Sequence, residues 1–242
     1  MRRIYLGIDI GGSKIRAVRW DGSRASATVE VATPRMKREF MRRLSSLIAR
    51  LCRRTPGQVR GVGIGVAGRI RGTRVVSSRN ISYLIDFDFK ILPLPVPIHV
   101  DNDARTFARA EVELGAGRRS RRMLALTIGT GIGRAYAERG RVRIIKKFEH
   151  AEPWEPDYQR IRDGGDTRTL AAFLGEKLAR IARHYRADAI VLGGGVLGRH
   201  GFTRRLISNL RAQGLKAKVR RGHLGRNATA IGAALLFRQS IP

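Results

Sequence analysis

Apolar and polar positions fall into two similar series along this chain. Residues 4–10 form an apolar run broken by Asp9 and closed by Gly11 and Gly12, the pattern of a buried strand ending in a tight turn. Residues 15–20 alternate and follow at hairpin distance, Asp21-Gly22 marks a turn, and residues 26–31 read as the third strand of an antiparallel meander. Pro34 opens a predicted helix running to about Arg54, with Met36, Phe40, Leu44, Ile48 and Leu51 at helical spacing. Strands are predicted over 59–66, 75–76 and 97–100. A helix follows over 103–114, with Phe107, Ala110 and Leu114 on one face. The plan then repeats. Residues 123–128 form a strand ending in a Gly-rich turn, and strands at 132–138 and 141–145 flank Gly140. A helix at 167–185, a strand at 189–192, a helix at 202–213, a strand at 216–219 and a terminal helix at 228–239 complete it. Residues 146–166 are polar with little pattern. This duplicated layout predicts two α/β halves facing each other across a cleft, and clefts between domains are preferred ligand sites.

Length adds little, since 242 residues suit one large α/β domain or two interlocked halves. Charge adds more. Lys and Arg number 49 against 19 Asp and Glu, a net charge of +30. Such an excess is the footprint of a nucleic-acid or anionic-membrane binder. Its distribution argues against that reading. Nearly all the cations are Arg and they are spread along the whole chain, as the compositional habit of a GC-rich or heat-loving source would leave them. A basic surface would still steer ATP, a polyanion. A single cysteine, Cys52, excludes a disulfide framework and a Cys-rich zinc site, and points to a reducing cytoplasm. The apolar runs are too short for a signal peptide or a membrane span, which needs about 18 apolar residues.

Four motifs can carry chemistry. In Gly7-Ile8-Asp9-Ile10-Gly11-Gly12-Ser13-Lys14 a strand ends in an acid and two glycines turn the chain. Glycines let backbone N–H groups approach phosphate, Ser13 can donate to a phosphate oxygen, and Asp9 can hold Mg2+ through water. It is not a Walker loop, and an ordinary hairpin turn explains it equally well when taken alone. Leu126-Thr127-Ile128-Gly129-Thr130-Gly131-Ile132-Gly133 has the same shape, with a hydroxyl and an N–H at Thr130 to offer a phosphate. Two such turns at equivalent places could close on a triphosphate from both sides. Val100-Asp101-Asn102-Asp103-Ala104 sits where a strand hands over to a helix. A carboxylate beside an amide is what a hydroxyl substrate needs, one group to take the proton and one to orient it. A helix N-cap competes with that reading but does not explain three polar residues in succession. Val191-Leu192-Gly193-Gly194-Gly195-Val196 allows close approach of a flat ring such as adenine, or simply a tight strand-to-helix turn.

Together and in this order, the motifs resemble the ROK family of repressors, open reading frames and sugar kinases. Residues 7–18 resemble its first phosphate motif, with Asp9, Gly11, Gly12, Ser13 and Lys14 as nucleotide and Mg2+ contacts. Residues 63–70 resemble its next Gly-rich strand and turn, and residues 75–81 the segment lining the sugar side. The resemblance thus implies Gly68, Arg69 and Asn80 as sugar-binding residues. Residues 101–111 are similar to the family's most specific stretch, whose aspartate, here Asp103, is the catalytic base and whose neighbour, here Asn102, contacts the sugar. Residues 127–133 resemble the second phosphate motif, with Thr130 and Gly131. Gly193, Gly194 and Gly195 resemble the adenosine motif, and residues 224–236 the closing helix. The resemblance implies an actin-like, ribonuclease H-like α/β fold. Its smaller lobe would be residues 1–103 with 228–242 and its larger lobe residues 104–227. It also implies transfer of the γ-phosphoryl of ATP, with Mg2+, to a hydroxyl of a hexose or N-acetylhexosamine, often the one on carbon 6, and a homodimer.

One region departs from the pattern. Many family members carry a Glu-x-x-His pair after the second phosphate motif, then a Cys-rich zinc motif and another sugar-binding Glu. Here the stretch reads Lys146-Lys147-Phe148-Glu149-His150-Ala151-Glu152-Pro153-Trp154-Glu155, the spacing does not match, and no zinc is expected. Glu149 and His150 stay as sugar-binding candidates against a solvated loop, and Trp154 either stacks on a sugar or anchors the loop. Two further readings fit the residues. One is a sugar-responsive regulator or nucleic-acid partner, although a chain whose first strand starts at residue 4 leaves no room for the family's helix-turn-helix. The other is an actin-like ATPase or acyl-phosphate kinase, which does not need the Asn102–Asp103 pair.

Overall fold

The structure is a computed structural model that describes residues 3–53 and 59–238. The chain divides into two compact units, one of Met1–Ala110 with Arg226–Pro242 and one of Glu111–Gly225.

The first unit is built on a five-stranded sheet. Strands β1 (Ile4–Ile10), β2 (Lys14–Trp20) and β3 (Ala25–Ala32) form the predicted antiparallel meander, and β4 (Val59–Val66) and β7 (Ile98–Asn102) add parallel to β1, in the order β3-β2-β1-β4-β7. Alternation sorts the side chains. Leu6, Ile8, Ile10, Val62, Ile64 and Val66 face helix α1 (Lys37–Arg53), whose Phe40, Leu44, Leu47, Ile48 and Leu51 close the core. Each such fully buried side chain contributes about 1.5–3 kcal/mol. The opposite face carries Gly7 and Gly63. A Cβ on Gly7 would stand 1.8 Å from the carbonyl oxygen of Ala230, and one on Gly63 1.9 Å from that of Ala233. That space lets the small-residue helix α6 (Ala228–Ala234) lie directly on the sheet. Between β4 and β7 a hairpin of β5 (Arg69–Arg71) and β6 (Arg74–Ser77) and two 3-10 turns bring Ile81, Leu84, Phe87 and Phe89 into the same core.

Helix α2 (Asp103–Glu113) carries the chain into the second unit, which repeats the topology. Strands β8 (Arg122–Ile128), β9 (Ile132–Glu138) and β10 (Arg141–Arg143) are antiparallel, and β11 (Ala189–Gly193) and β12 (Lys218–Arg221) run parallel to β8, in the order β10-β9-β8-β11-β12. Leu124, Leu126, Ile128, Ile190 and Leu192 pack on α4 (Thr167–His184) and α5 (Phe202–Ala212). Asp166 starts α4 by accepting the N–H groups of Arg168 and Thr169 at 2.8 and 3.2 Å, and Arg183 and His184 suit its negative end.

Differences from the sequence reading are local. The patternless stretch at 146–166 holds a 3-10 turn, Lys146–Glu149, and a nine-residue helix α3 (Glu155–Asp163). So short a helix has room for only Tyr158 and Ile161 on its apolar side, too few to show a period, but Pro156 in its first turn with acids at the start and arginines at the end is a start-and-stop signal. The terminal helix tightens to a 3-10 turn at Leu235–Phe237. The ends expected at Arg54 and Gln239 lie outside the described residues. Met36, expected on the buried face of α1, precedes the helix and is 69% exposed.

Candidate active site

In the first unit, cross-strand register sets a charged row on the face that α6 covers. Asp9 pairs with Arg16 on β2 and with Gly65 on β4, and Gly65 pairs with Asp101 on β7. Beyond β1 the chain turns through Gly11, Gly12 and Ser13. The Thr33 hydroxyl donates to the Gly11 carbonyl at 2.7 Å and the Thr33 N–H to the Ser13 carbonyl at 3.0 Å, while the Gly11 N–H bonds the Lys14 carbonyl at 3.0 Å. The Gly11 and Ser13 carbonyls therefore face inward to the meander. The Lys14 ammonium lies 2.5 Å from the Glu30 carboxylate, and Arg16 bonds the same group, which together hold Glu30 down at about 2. A Cβ on Gly12 would stand 3.0 Å from that of Asn80, so Asn80 lies against this turn.

The stretch after β7 is shared between capping and chemistry. The Asn102 side-chain oxygen accepts the N–H groups of Ala104 and Arg105 at 3.0 and 3.2 Å, and its amide donates to the Gly68 carbonyl at 2.9 Å. Asn102 thus caps α2 and ties it to the Gly68 turn, leaving one amide N–H. Asp101 is taken by Arg105 at 2.5 Å, with Arg109 at 3.8 Å. The Asp103 side chain accepts the Ala104 N–H at 2.9 Å. Burial pushes its carboxyl up, against the backbone N–H groups of Ala104 and Asp103 and the charges of Arg105 and Arg79. Burial and then the Asp103 charge push Asp9 up to about 7, with Arg16 opposing. Two carboxylates that repel each other in a desolvated place are a poised acid–base pair or the seat of a cation. Ser78 donates to the Ala67 carbonyl at 2.7 Å and holds the Gly68 turn beside the segment leading to Asn80, while Arg69 starts β5. Gly68, Asn80, Asn102, Asp103 and Asp9 are therefore gathered in one unit.

In the second unit, Gly194 (φ +98°) packs so closely on Ile128 that a Cβ there would meet the Ile128 carbonyl oxygen at 2.3 Å. Only glycine fits, and the contact brings the Gly193–Gly195 motif onto the strand that leads into the Thr130 turn. At that turn, Tyr158 donates to the Gly129 carbonyl at 2.6 Å, and Arg162 to the carbonyls of Gly129 and Thr130. Apolar periodicity singles out neither residue, because the helix that carries both is too short to show a period; its Pro156 and terminal charges were the one signal available. Glu149 ends the 3-10 turn half-buried and His150 is exposed. The ordering residue of this stretch is Arg134, 3% exposed, which bonds Glu152 and the His150 carbonyl, lies 3.7 Å from Glu155, and sits 5.4 Å over the Phe148 ring. Trp154 packs edge-on against Phe173 at 6.0 Å and joins the core.

The residues fit Mg2+. Among the described residues no group donates a hydrogen bond to the Asp9 carboxylate, which stands beside a second carboxylate. Among the described residues no cluster of three or more ligating side chains surrounds it, and Mg2+ asks for none, since it binds through one or two carboxylates, water and substrate phosphates.

Comparison with known proteins places this site in a family. The chain matches the ROK family over residues 5–145 and 166–240, and it belongs to that family. No curated protein matches it in sequence. Among solved structures, it resembles an inorganic polyphosphate/ATP-glucomannokinase from Arthrobacter sp. strain KM, at 25% identity and a TM-score of 0.85 over 98% of this chain and 99% of that one. A glucokinase from Streptomyces griseus, solved with glucose and AMPPNP, aligns at 23% identity and 0.79, over 98% and 99% of the two chains. A ROK transcriptional regulator, a homologue of the E. coli MLC protein, aligns at 15% and 0.72, over 98% and 78%. The last two likenesses speak for the fold alone, which is the actin-like ATPase fold of these proteins. No helix among the described residues is long and apolar enough to cross a membrane.

Proposed function

We propose that the protein is an ATP-dependent sugar kinase that transfers the γ-phosphoryl to a hydroxyl, O6, of a hexose or N-acetylhexosamine. The observation that carries the reading is the Asp9–Asp103 pair, with Asp103 at the start of α2 and its carboxyl raised by burial toward the pH at which a base can both accept and release a proton. The likeness to a glucomannokinase that uses ATP supports it. In this reading Asp103 takes the hydroxyl proton as the oxygen attacks phosphorus. Asn102, Gly68, Arg69 and Asn80 hold the sugar, with Glu149 and His150 as further contacts. Gly12, Ser13, Lys14, Thr130 and Gly131 present donors to the phosphates, Gly11, whose N–H is bonded to the Lys14 carbonyl, shapes the first turn beside them, and Gly193, Gly194 and Gly195 take the adenosine. Mg2+, held through Asp9 and water, would neutralise phosphate charge, which with positioning is most of what phosphoryl transfer requires. The reading extends to a homodimer in the cytoplasm.

A coupled assay of ADP release across glucose, mannose, glucosamine, N-acetylglucosamine and N-acetylmannosamine tests it. Release that depends on one or two of these sugars is expected. Release that ignores all of them would leave an ATPase on this scaffold. The +30 charge and the likeness to a regulator favour one second reading, a sugar-responsive DNA binder. It requires DNA affinity that falls steeply with salt, as counterion release dictates.

A further inference from the structure

The ROK match skips residues 146–165, yet this stretch hydrogen-bonds the turn at residues 129–131. All three carbonyls of the turn are occupied. The Gly129 oxygen accepts from Tyr158 and, at 3.2 Å, from Arg162. The Thr130 oxygen accepts from Arg162, and the Gly131 oxygen from the Gly129 N–H at 3.0 Å. What remains without a partner among the described residues is the N–H of Thr130, the N–H of Gly131 and the Thr130 hydroxyl. A peptide whose carbonyl is held on one side must show its N–H on the other. Two successive N–H groups so turned make a concave anion seat.

We propose that Arg162 and Tyr158 are positioning residues that set this turn for the nucleotide phosphates, a task this chain has given to its own segment 146–165. The proposal rests on the kinase reading of the Thr130 turn. Arg162 is built for the task. One nitrogen spans both carbonyls while the other two grip the Asp163 carboxylate at 2.8 and 3.0 Å, and the guanidinium lies 5.7 Å over the Tyr158 ring. Arg199 holds the Arg162 carbonyl at 2.7 Å and so fixes the end of α3. Tyr158 is fully buried, and burial pushes its hydroxyl up to about 12, which keeps it a donor through any working pH. Arg134, with Glu152, Glu155 and the His150 carbonyl, anchors the other end of the segment on β9. A flexible ammonium cannot span two carbonyls and a carboxylate at once, so geometry as well as charge is at stake.

The test compares wild type with Arg162→Ala, Arg162→Lys and Tyr158→Phe, reading the ADP dissociation constant by calorimetry with Mg2+ and the KM values for ATP and sugar. Loss of a charge-assisted pair of bonds should weaken ADP and raise the ATP KM about 10-fold or more in Arg162→Ala, and loss of one neutral bond about 3-fold in Tyr158→Phe, with the sugar KM unmoved. Arg162→Lys should recover less than half of the lost affinity. Wild-type ADP affinity in Arg162→Lys or in Tyr158→Phe overturns the proposal, as does an equal rise in both KM values. Should Arg162→Ala fail to fold, Tyr158→Phe decides. A wild type that binds no ADP overturns the kinase reading and this proposal together, and is recognised because no variant is needed to see it.

Discussion

The turn at residues 11–13 and the turn at residues 129–131 follow equivalent strands in units of the same topology, and each has its carbonyls held from one side. In the first unit the holder is Thr33, just past the third strand of the same meander, through one hydroxyl and one N–H. In the second it is a tyrosine and an arginine from α3, an element outside the ROK match. A strand–Gly–strand pattern thus places a turn without deciding what aims its amides. Where the support is local it comes with the sheet. Where it comes from a separate helix it needs an anchor, and the buried Arg134 cluster is that anchor. The first unit also carries the raised carboxylates, so in the proposed kinase it would supply the chemistry while the second turn would hold nucleotide.

The largest effect should break that contrast at its chemical end. Asp103→Asn should lower kcat by about 10²–10⁴-fold, the range for a general base, while calorimetry shows ADP binding unchanged. Turnover at the wild-type rate would remove Asp103 from the role of base. Next, Arg134→Ala removes the buried cation that faces both Glu152 and Glu155. Urea unfolding should show a loss of about 3–5 kcal/mol, the cost of breaking a buried pair. A change below about 1 kcal/mol would mean that packing alone anchors the segment.

The carboxylates of the first unit imply a pH dependence. Asp9 is raised to about 7 in the folded chain from an ordinary value of 3.8, so the stability tied to its neutral form is whole below about 4 and is lost as pH rises through 7. Without Mg2+ and nucleotide, the melting temperature should fall between pH 5 and pH 8 by several degrees, and Asp9→Asn should flatten the slope. The smallest effect sharpens the comparison itself. Thr33→Val removes one bond to the first turn but keeps the N–H bond to Ser13, so the ATP KM should rise only about 2- to 5-fold. A rise as large as that of Arg162→Ala would show that the two turns depend equally on their holders.

Much of this protein was set by sequence alone. Alternation and Gly-closed apolar runs fixed both meanders, because period-two burial leaves a trace in every residue, and the Asn102–Asp103 pair marked the strand-to-helix handover where polar groups must find a use. Glycines after the strands marked both turns. The tertiary structure decided the rest. Whether Asn102 caps a helix or faces a ligand depends on Gly68, which lies 34 residues away, and its cap and bridge are visible only once the fold joins them. The rise of Asp9 depends on its distance from Asp103 and on burial, neither of which is a property of local sequence. Arg134, Tyr158 and Arg162 could not be told from the chain's many other polar residues until folding set them against one turn. A side chain's type is written in the sequence, but its partner is a long-range contact, and only the packed chain makes it.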